Sequence, residues 1–267
     1  MKYINTNKLE QIKLSKDNYY VILDFDKTIT SKKSLDSWMA VVDFEQYGEK
    51  CKTEIEQLNA KYAPIELNYE IDYETKKQYI EEWYQKSMNL LYRYQLTNSN
   101  LYQSIKKGRL EFREGAKEFL AHLYEKNIPV IILSAGIGNA IETFFKLNHC
   151  NYDNICMISN FIEFKEDKMQ KFTKQMIHSM NKTIENFLST KWQNKIKEKK
   201  YAILCGDIIE DIQMIRKEDL KKTITIGFLN NKIEENLRIY QQQYDVVLTN
   251  EEACFQEVEK IIRKEEI

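Results

Sequence analysis

Residues 19–30 read Tyr-Tyr-Val-Ile-Leu-Asp-Phe-Asp-Lys-Thr-Ile-Thr, an apolar run closed by two carboxylates, Asp24 and Asp26, with Thr28 two residues further on. Unbroken apolar character over this length predicts a strand buried on both faces, with the carboxylates at its mouth. A carboxylate at a strand end, beside a divalent cation, can attack phosphorus. A second carboxyl two residues later can move the proton. Thr28 is placed to contact a phosphate group or simply to hold the turn.

Glycine is scarce elsewhere, seven in the chain, so its placement is informative. The apolar run 128–133 leads into Ser134-Ala135-Gly136-Ile137-Gly138 and then a helical pattern from about Asn139. The run 201–205 leads into Gly206-Asp207-Ile208-Ile209-Glu210-Asp211. Further strands are expected at 154–158, 223–228 and 245–248, separated by amphipathic helices. This alternation predicts an α/β fold, a Rossmann-like parallel sheet with helices on both faces, whose ligands gather at the carboxyl ends of the strands. Three loops then converge on one site.

From residue 38 to 110 the texture changes. No strand pattern appears, while Cys51, Ile55, Leu58 and Tyr62, and again Ile80, Tyr84, Ser87 and Leu91, recur at helical spacing. The expected division is a catalytic core of residues 1–37 and 111–267 and an inserted helical cap, 38–110, that sets substrate choice.

Bulk properties narrow the function. The 267 residues carry 40 Lys plus Arg against 41 Asp plus Glu, so no global field favours nucleic acid or an acidic membrane, and an anionic ligand must be held locally. No apolar run approaches the roughly 18 residues of a membrane helix, so a cytoplasmic location without membrane or nucleic-acid partners is expected. Five cysteines without Cys-x-x-Cys spacing fit reduced, buried thiols. Nothing in the sequence specifies an oligomeric state.

Phosphoryl transfer assigns the chemistry-bearing residues. Charge spreads over the equatorial oxygens of the transferring group, so cations and hydrogen-bond donors must surround it. Asp24 and Asp207 offer hard oxygen ligands for Mg2+. The Ser134 hydroxyl and the N–H groups of Ala135 and Gly136, at a strand-to-helix turn, can receive phosphate oxygens. Lys182 would add a point charge. Asp211 stands behind the metal ligands. The blander alternatives are a turn for Asp-x-Asp-x-Thr, an N-cap for Ser134 and dipole partners for Asp207 and Asp211. What favours the joint reading is that all four signals occur in the required order, three of them directly after a strand.

Asp-x-Asp-x-Thr after an apolar strand resembles the first motif of the haloacid dehalogenase superfamily. The strings Asp24-Phe25-Asp26, Glu82-Trp83-Tyr84-Gln85-Lys86-Ser87, Ser134-Ala135-Gly136-Ile137-Gly138, Ser159-Asn160-Phe161, His178 through Lys182 and Ile226-Gly227-Phe228-Leu229-Asn230 are similar to the cytosolic pyrimidine 5′-nucleotidase family, a likeness running from about Tyr20 to near the end. The resemblance implies Asp24 as nucleophile, and Asp26 as acid/base and, through its carbonyl, metal ligand. It also implies Asp207 as metal ligand, Ser134 and Lys182 as phosphate binders, and Glu66 and Tyr84 as the residues that hold the base. Physically, Tyr84 offers a stacking face, and Glu66, as an acceptor, suits a donating edge such as the cytosine amino group or the cationic ring of N7-methylguanine.

Where that family usually reads Gly-Asp-Ser-x-Gly-Asp, this chain has Ile208 and Glu210 in place of the Ser and the second Gly. The residues after Thr30, 31–37, also differ from the animal enzymes. The expected function is a Mg2+-dependent phosphatase for nucleoside 5′-monophosphates, pyrimidine preferred (CMP, UMP), working through an aspartyl-phosphate. The alternatives are a phosphatase for 7-methylguanosine monophosphate or phosphoserine, or a catalytically weak nucleotide-binding regulator.

Overall fold

The computed structural model describes residues 2–172 and 175–263. Among the described residues nine strands are formed: β1 (Lys2–Ile4), β2 (Tyr19–Leu23), β3 (Val130–Ile137), β4 (Ile155–Asn160), β5 (Ile162–Lys165), β6 (Lys168–Phe172), β7 (Tyr201–Gly206), β8 (Thr223–Leu229) and β9 (Val246–Thr249). Seven of them make one sheet in the order β1-β9-β8-β7-β2-β3-β4, parallel throughout except for β1, which pairs antiparallel to β9 at the edge. β5 and β6 form a separate antiparallel hairpin. The sheet core is the α/β arrangement expected from the sequence; β1 and the hairpin are additions to it.

β2 lies inside the sheet, between β7 and β3, because its run of apolar and aromatic side chains can be packed on both faces: Val21, Ile22 and Leu23 are fully buried. Apolar clusters pack on each side of the sheet. One gathers Val21 and Leu23 with Phe25, Phe144 and Phe145; the other gathers Ile22 with Leu133, Leu204 and Val247. Burying each such side chain contributes about 1.5–3 kcal/mol. Register then fixes the functional geometry. Leu23 pairs with Cys205 on one side and Ile132 on the other, so Asp24, Asp207 and Ser134 leave neighbouring strands at nearly the same height.

One expectation needs correcting. Ser134-Ala135-Gly136-Ile137 belongs to β3 rather than to a loop after it, and the helix that follows is Gly138–Leu147. The pairing with β4 shifts between Leu133 and Ile137, and this irregularity lets the strand bend over the site while Ile137 still pairs with Asn160.

Between residues 37 and 110 the described elements are helices: Ser37–Ala40, Phe44–Glu66, Tyr73–Arg93 and Asn98–Lys106. Aspartates cap three of these starts: Asp36, Asp43 and Asp72 accept from backbone N–H groups at the first turns. The long helix pair buries Cys51, Ile55 and Tyr62 on one helix and Ile80, Leu90 and Leu91 on the other; of the stripes expected from the sequence, Leu58, Tyr84 and Ser87 are only half-buried, and Leu90 lies outside them. Among the described residues no helix is long and apolar enough to cross a membrane. All five cysteines are buried thiols.

Candidate active site

Asp24 leaves β2 in extended backbone, its N–H donating to the Cys205 carbonyl at 3.0 Å, so the ladder with β7 continues through this residue. The chain then winds into a wide turn, Phe25–Ile29, closed by the Thr30 N–H on the Phe25 carbonyl at 3.0 Å. Phe25 anchors the turn against Phe144 and Phe145, with centroids 5.9 Å away in both cases. Lys27, at φ 62, takes the left-handed conformation that reverses the chain. Arg113 holds the turn from beneath: its Nε donates to the Thr28 carbonyl at 2.8 Å and its Nη2 to the Lys27 carbonyl.

The turn aims Asp26 at Ser37. The Ser37 N–H and hydroxyl donate to the two Asp26 carboxylate oxygens at 2.8 and 2.6 Å, and the same hydroxyl accepts from the Ile137 N–H at 3.1 Å. Gly136 makes this approach possible, because a Cβ there would collide with the Ser37 hydroxyl and stand 2.7 Å from Asp26 Oδ2. Ser134 is buried and its hydroxyl accepts from the Gly136 N–H at 3.0 Å. The Ala135 carbonyl accepts from Trp38 Nε1 at 3.0 Å and from Asn160 Nδ2 at 2.8 Å, which fixes the bent end of β3.

Asp24, Asp207 and Asp211 form an acidic cluster in which one carboxylate oxygen from each lies within 4.8 Å of the others. Lys182 is buried among them, donating to Asp24 Oδ1 and, at 2.7 Å, to Asp211 Oδ1. The other oxygen of Asp211 accepts from the N–H groups of Asp207 (3.0 Å) and Ile208 (3.3 Å), so Asp211 is spent on shaping the turn. Asp24 Oδ2, by contrast, is buried without a hydrogen-bond partner. The Thr28 hydroxyl is near enough to favour the ionised form of Asp24 but makes no regular hydrogen bond. Asp207 Oδ2 accepts from Asn230 Nδ2 at 3.2 Å, and Arg113 Nη2 donates to Asn230 Oδ1 at 3.0 Å, which sets the direction of that amide.

Charge is crowded here, and the protonation equilibria respond. Burial pushes Asp24 up to about 6 against the pull of Lys182. Burial also drives Asp207 well above the usual carboxylate range, and the neighbouring Asp24 and Asp211 charges add to the shift. Asp26 rises to about 8 through burial and the Asp36 and Asp24 carboxylates, which together outweigh its hydrogen bonds from Ser37. Burial pulls Lys182 down, but Asp211 and Asp24 overcome this and hold it above its ordinary value. A hard dication fits this cluster: oxygen donors only, an unpartnered buried lone pair on Asp24, and more negative charge than Lys182 neutralises.

Glu66 and Tyr84 come to the same place from the two long helices. Both are half-buried. Burial raises Glu66 to about 7, the nearby Ser179 hydroxyl and Lys76 lowering it and Glu210 raising it. The Tyr84 hydroxyl is held well above its normal range by burial and by the charges of Glu66, Asp26, Asp36 and Asp24. Its ring meets Trp38 edge-on at 5.5 Å, with Trp83 and His178 each 6.0 Å away. His178 is buried, and its Nδ1 accepts from the Met180 N–H at 3.2 Å, a local structural use.

Three residues of this site carry no motif, Ser37, Arg113 and Lys76, and a fourth, Asn230, closes the string Ile226–Asn230, which assigns it no role. Ser37 and Lys76 read as ordinary helix-start residues. Arg113 offered one signal, a lone basic residue in Phe112-Arg113-Glu114-Gly115 where the chain returns to the core.

The chain is similar to known proteins over most of its length. The family model described as pyrimidine 5′-nucleotidase (UMPH-1) matches residues 22–265. A 7-methylguanosine phosphate-specific 5′-nucleotidase from Homo sapiens is 32% identical over 244 residues, 89% of this chain and 81% of the relative. Among solved structures, cytosolic 5′-nucleotidase IIIB bound to cytidine superposes with a TM-score of 0.81 at 24% identity, covering 98% of this chain and 92% of that one. Phosphoserine phosphatase in its apo form gives 0.59 at 17%, covering 91% and 98%. The family model over residues 22–265 and the human relative, together with the parallel sheet that brings Asp24, Ser134 and Asp207 to its strand ends, make this chain a member of the pyrimidine 5′-nucleotidase family, a phosphoric monoester hydrolase with the haloacid dehalogenase fold.

Proposed function

We propose that the protein hydrolyses nucleoside 5′-monophosphates through an aspartyl-phosphate on Asp24, with Mg2+ as cofactor, residues 38–110 acting as a substrate-selecting cap, and a preference for bases whose edge donates to Glu66. The observation that carries this is the pairing of Asp24 Oδ2, buried and unpartnered, with Asp26, raised to about 8 and therefore mostly protonated at neutral pH. One carboxylate is free to attack and the next is loaded to give a proton. Asp24 attacks phosphorus while Asp26 protonates the departing 5′-oxygen as the ester bond breaks. Asp26, now ionised, takes a proton from water as that water attacks phosphorus, and the bond to Asp24 breaks. The Ser134 hydroxyl, the Ala135 N–H, Thr28 and Lys182 steady the phosphoryl oxygens. Asp24, Asp207 and the Asp26 carbonyl would hold Mg2+, which when bound supplies the positive charge that lets an anionic phosphate approach an anionic nucleophile.

CMP is the first substrate proposed, because Glu66 as an acceptor suits the cytosine amino group and the matching family model is that of pyrimidine nucleotidases. 7-Methylguanosine monophosphate is the second, favoured by the name of the human relative and by Trp38 and Tyr84 lying beside an acid, a setting that suits a cationic ring. Turnover of p-nitrophenyl phosphate with Mg2+ that falls at least about a thousandfold in Asp24→Asn is expected for covalent catalysis. A panel of CMP, UMP, GMP and 7-methylguanosine monophosphate, repeated with Glu66→Gln, tests the base. A preference that survives this substitution unchanged would remove Glu66 from the assignment.

A further inference from the structure

Glu210 is where the Asp207–Asp211 turn meets the helical insert. Its side chain is buried, with Oε1 taken by the Lys76 ammonium and Oε2 without a hydrogen-bond partner. Lys76 sits in the first turns of helix Tyr73–Arg93, 4% exposed along its side chain, and its ammonium is 5.0 Å from the centre of the Tyr69 ring. The Tyr69 hydroxyl is 3.5 Å from that of Tyr240, which donates to the Asp207 carbonyl at 2.5 Å. Tyr73 donates to the Met180 carbonyl at 2.9 Å, two residues before Lys182. The short stretch 69–76 thus touches the acidic turn by two routes and the lysine loop by one. Glu66, three residues earlier, has its own charge tuned by Glu210 and Lys76.

We infer that Lys76 and Glu210 are specificity-determining positioning residues: their ion pair forms across the seam as a nucleobase seats the insert, tying the base subsite to the turn that carries Asp207. This builds on the phosphatase reading above. A buried ion pair roughly breaks even, because the cost of drying two ions offsets their attraction, so it adds little stability while demanding one relative position of the two elements. An equilibrium so nearly balanced is one that a bound base can tip. The glutamate at a turn position where the resembling family usually has glycine is then matched by a cation supplied from the insert.

The test is the ratio of kcat/KM for CMP to that for p-nitrophenyl phosphate, which has no base. In K76M/E210Q both charges are gone and neither is left buried alone, so a variant in which the pair is merely structural would keep the wild-type ratio. The ratio is expected to fall about tenfold. In the charge-reversed K76E/E210K the pair can re-form, and recovery to within about threefold of wild type is expected. A wild-type ratio in the neutral double, or an equal loss in the reversed double, overturns the proposal; thermal melts show whether each variant is folded, and either double alone decides. If the wild type turns over neither substrate, the phosphatase reading falls instead. The comparison then moves to CMP affinity followed by tryptophan fluorescence, where the neutral double must still bind about tenfold more weakly for the clasp to stand.

Discussion

If Glu66 holds the base as proposed, one proton on its carboxyl reverses what the pocket asks of that base. Raised to about 7 by burial, Glu66 is a carboxyl that can donate below that pH and a carboxylate that only accepts above it. A cytosine amino group needs the acceptor, whereas the uracil O4 needs the donor. The ratio of kcat/KM for CMP over UMP is therefore expected to rise by up to about a hundredfold between roughly pH 6 and pH 8, as the ionised fraction grows about tenfold and the protonated fraction shrinks about tenfold, and to flatten in Glu66→Gln. A ratio flat in the unsubstituted enzyme would contradict this. Asn230 acts on a different equilibrium, since its amide donates to both Asp207 Oδ2 and the Lys27 carbonyl. Asn230→Ala is expected to weaken Mg2+ binding about 10–100-fold, read by calorimetry in the absence of substrate. Unchanged affinity would reduce Asn230 to a loop staple.

At the level of elements, the bent end of β3 brings strand and insert together around a glycine. Gly136→Ala would force a methyl group onto the Ser37 hydroxyl and toward Asp26 Oδ2, so it is expected to cost about 1–3 kcal/mol of stability and most of the activity. Full activity at wild-type Tm would show that Ser37 moves aside freely. The same segment marks the limit of what the sequence discloses. β2, β7, β8 and β9, and the insert helices, were legible because buried parallel strands are continuous apolar runs and paired helices carry periodic stripes. The passage of β3 through Ser134 to Ile137 was not, since small and polar residues after an apolar run signal a turn unless a register shift carries the strand onward. β1 and the hairpin of β5 and β6 are not legible in the sequence for a similar reason: they are short, and pattern alone does not separate an edge strand from a loop. At the site, residues with reactive groups at strand ends could be named in advance. Ser37, Arg113 and Asn230 could not, because their roles exist only through partners far away in the chain.

The molecule as a whole carries a store of buried acid. Asp24 at about 6, Glu66 at about 7 and Asp26 at about 8 all hold protons more tightly folded than unfolded. Their contribution to stability is complete below the unfolded carboxyl range and is lost as pH climbs through these folded values. The Tm of the metal-free protein is thus expected to fall between about pH 5 and pH 8, and added Mg2+ to restore most of the loss at the upper end by neutralising the cluster. Melts in chelator that instead rise across this range would contradict the sign. Asp43 works oppositely, held low by its hydrogen bond to Lys107 and by Arg109, and its contribution disappears only in stronger acid. Finally, Cys51, Ile55, Leu90, Leu91, Leu96 and Leu101 belong to the same apolar cluster as Val21 and Ile132 of the sheet. The insert is therefore rooted at its base and not a detachable cassette. Chimeras that transplant it between relatives will have to carry the matching underside with them, and any rocking of the helix pair must be greatest at its far tip, where residues 66–76 lie.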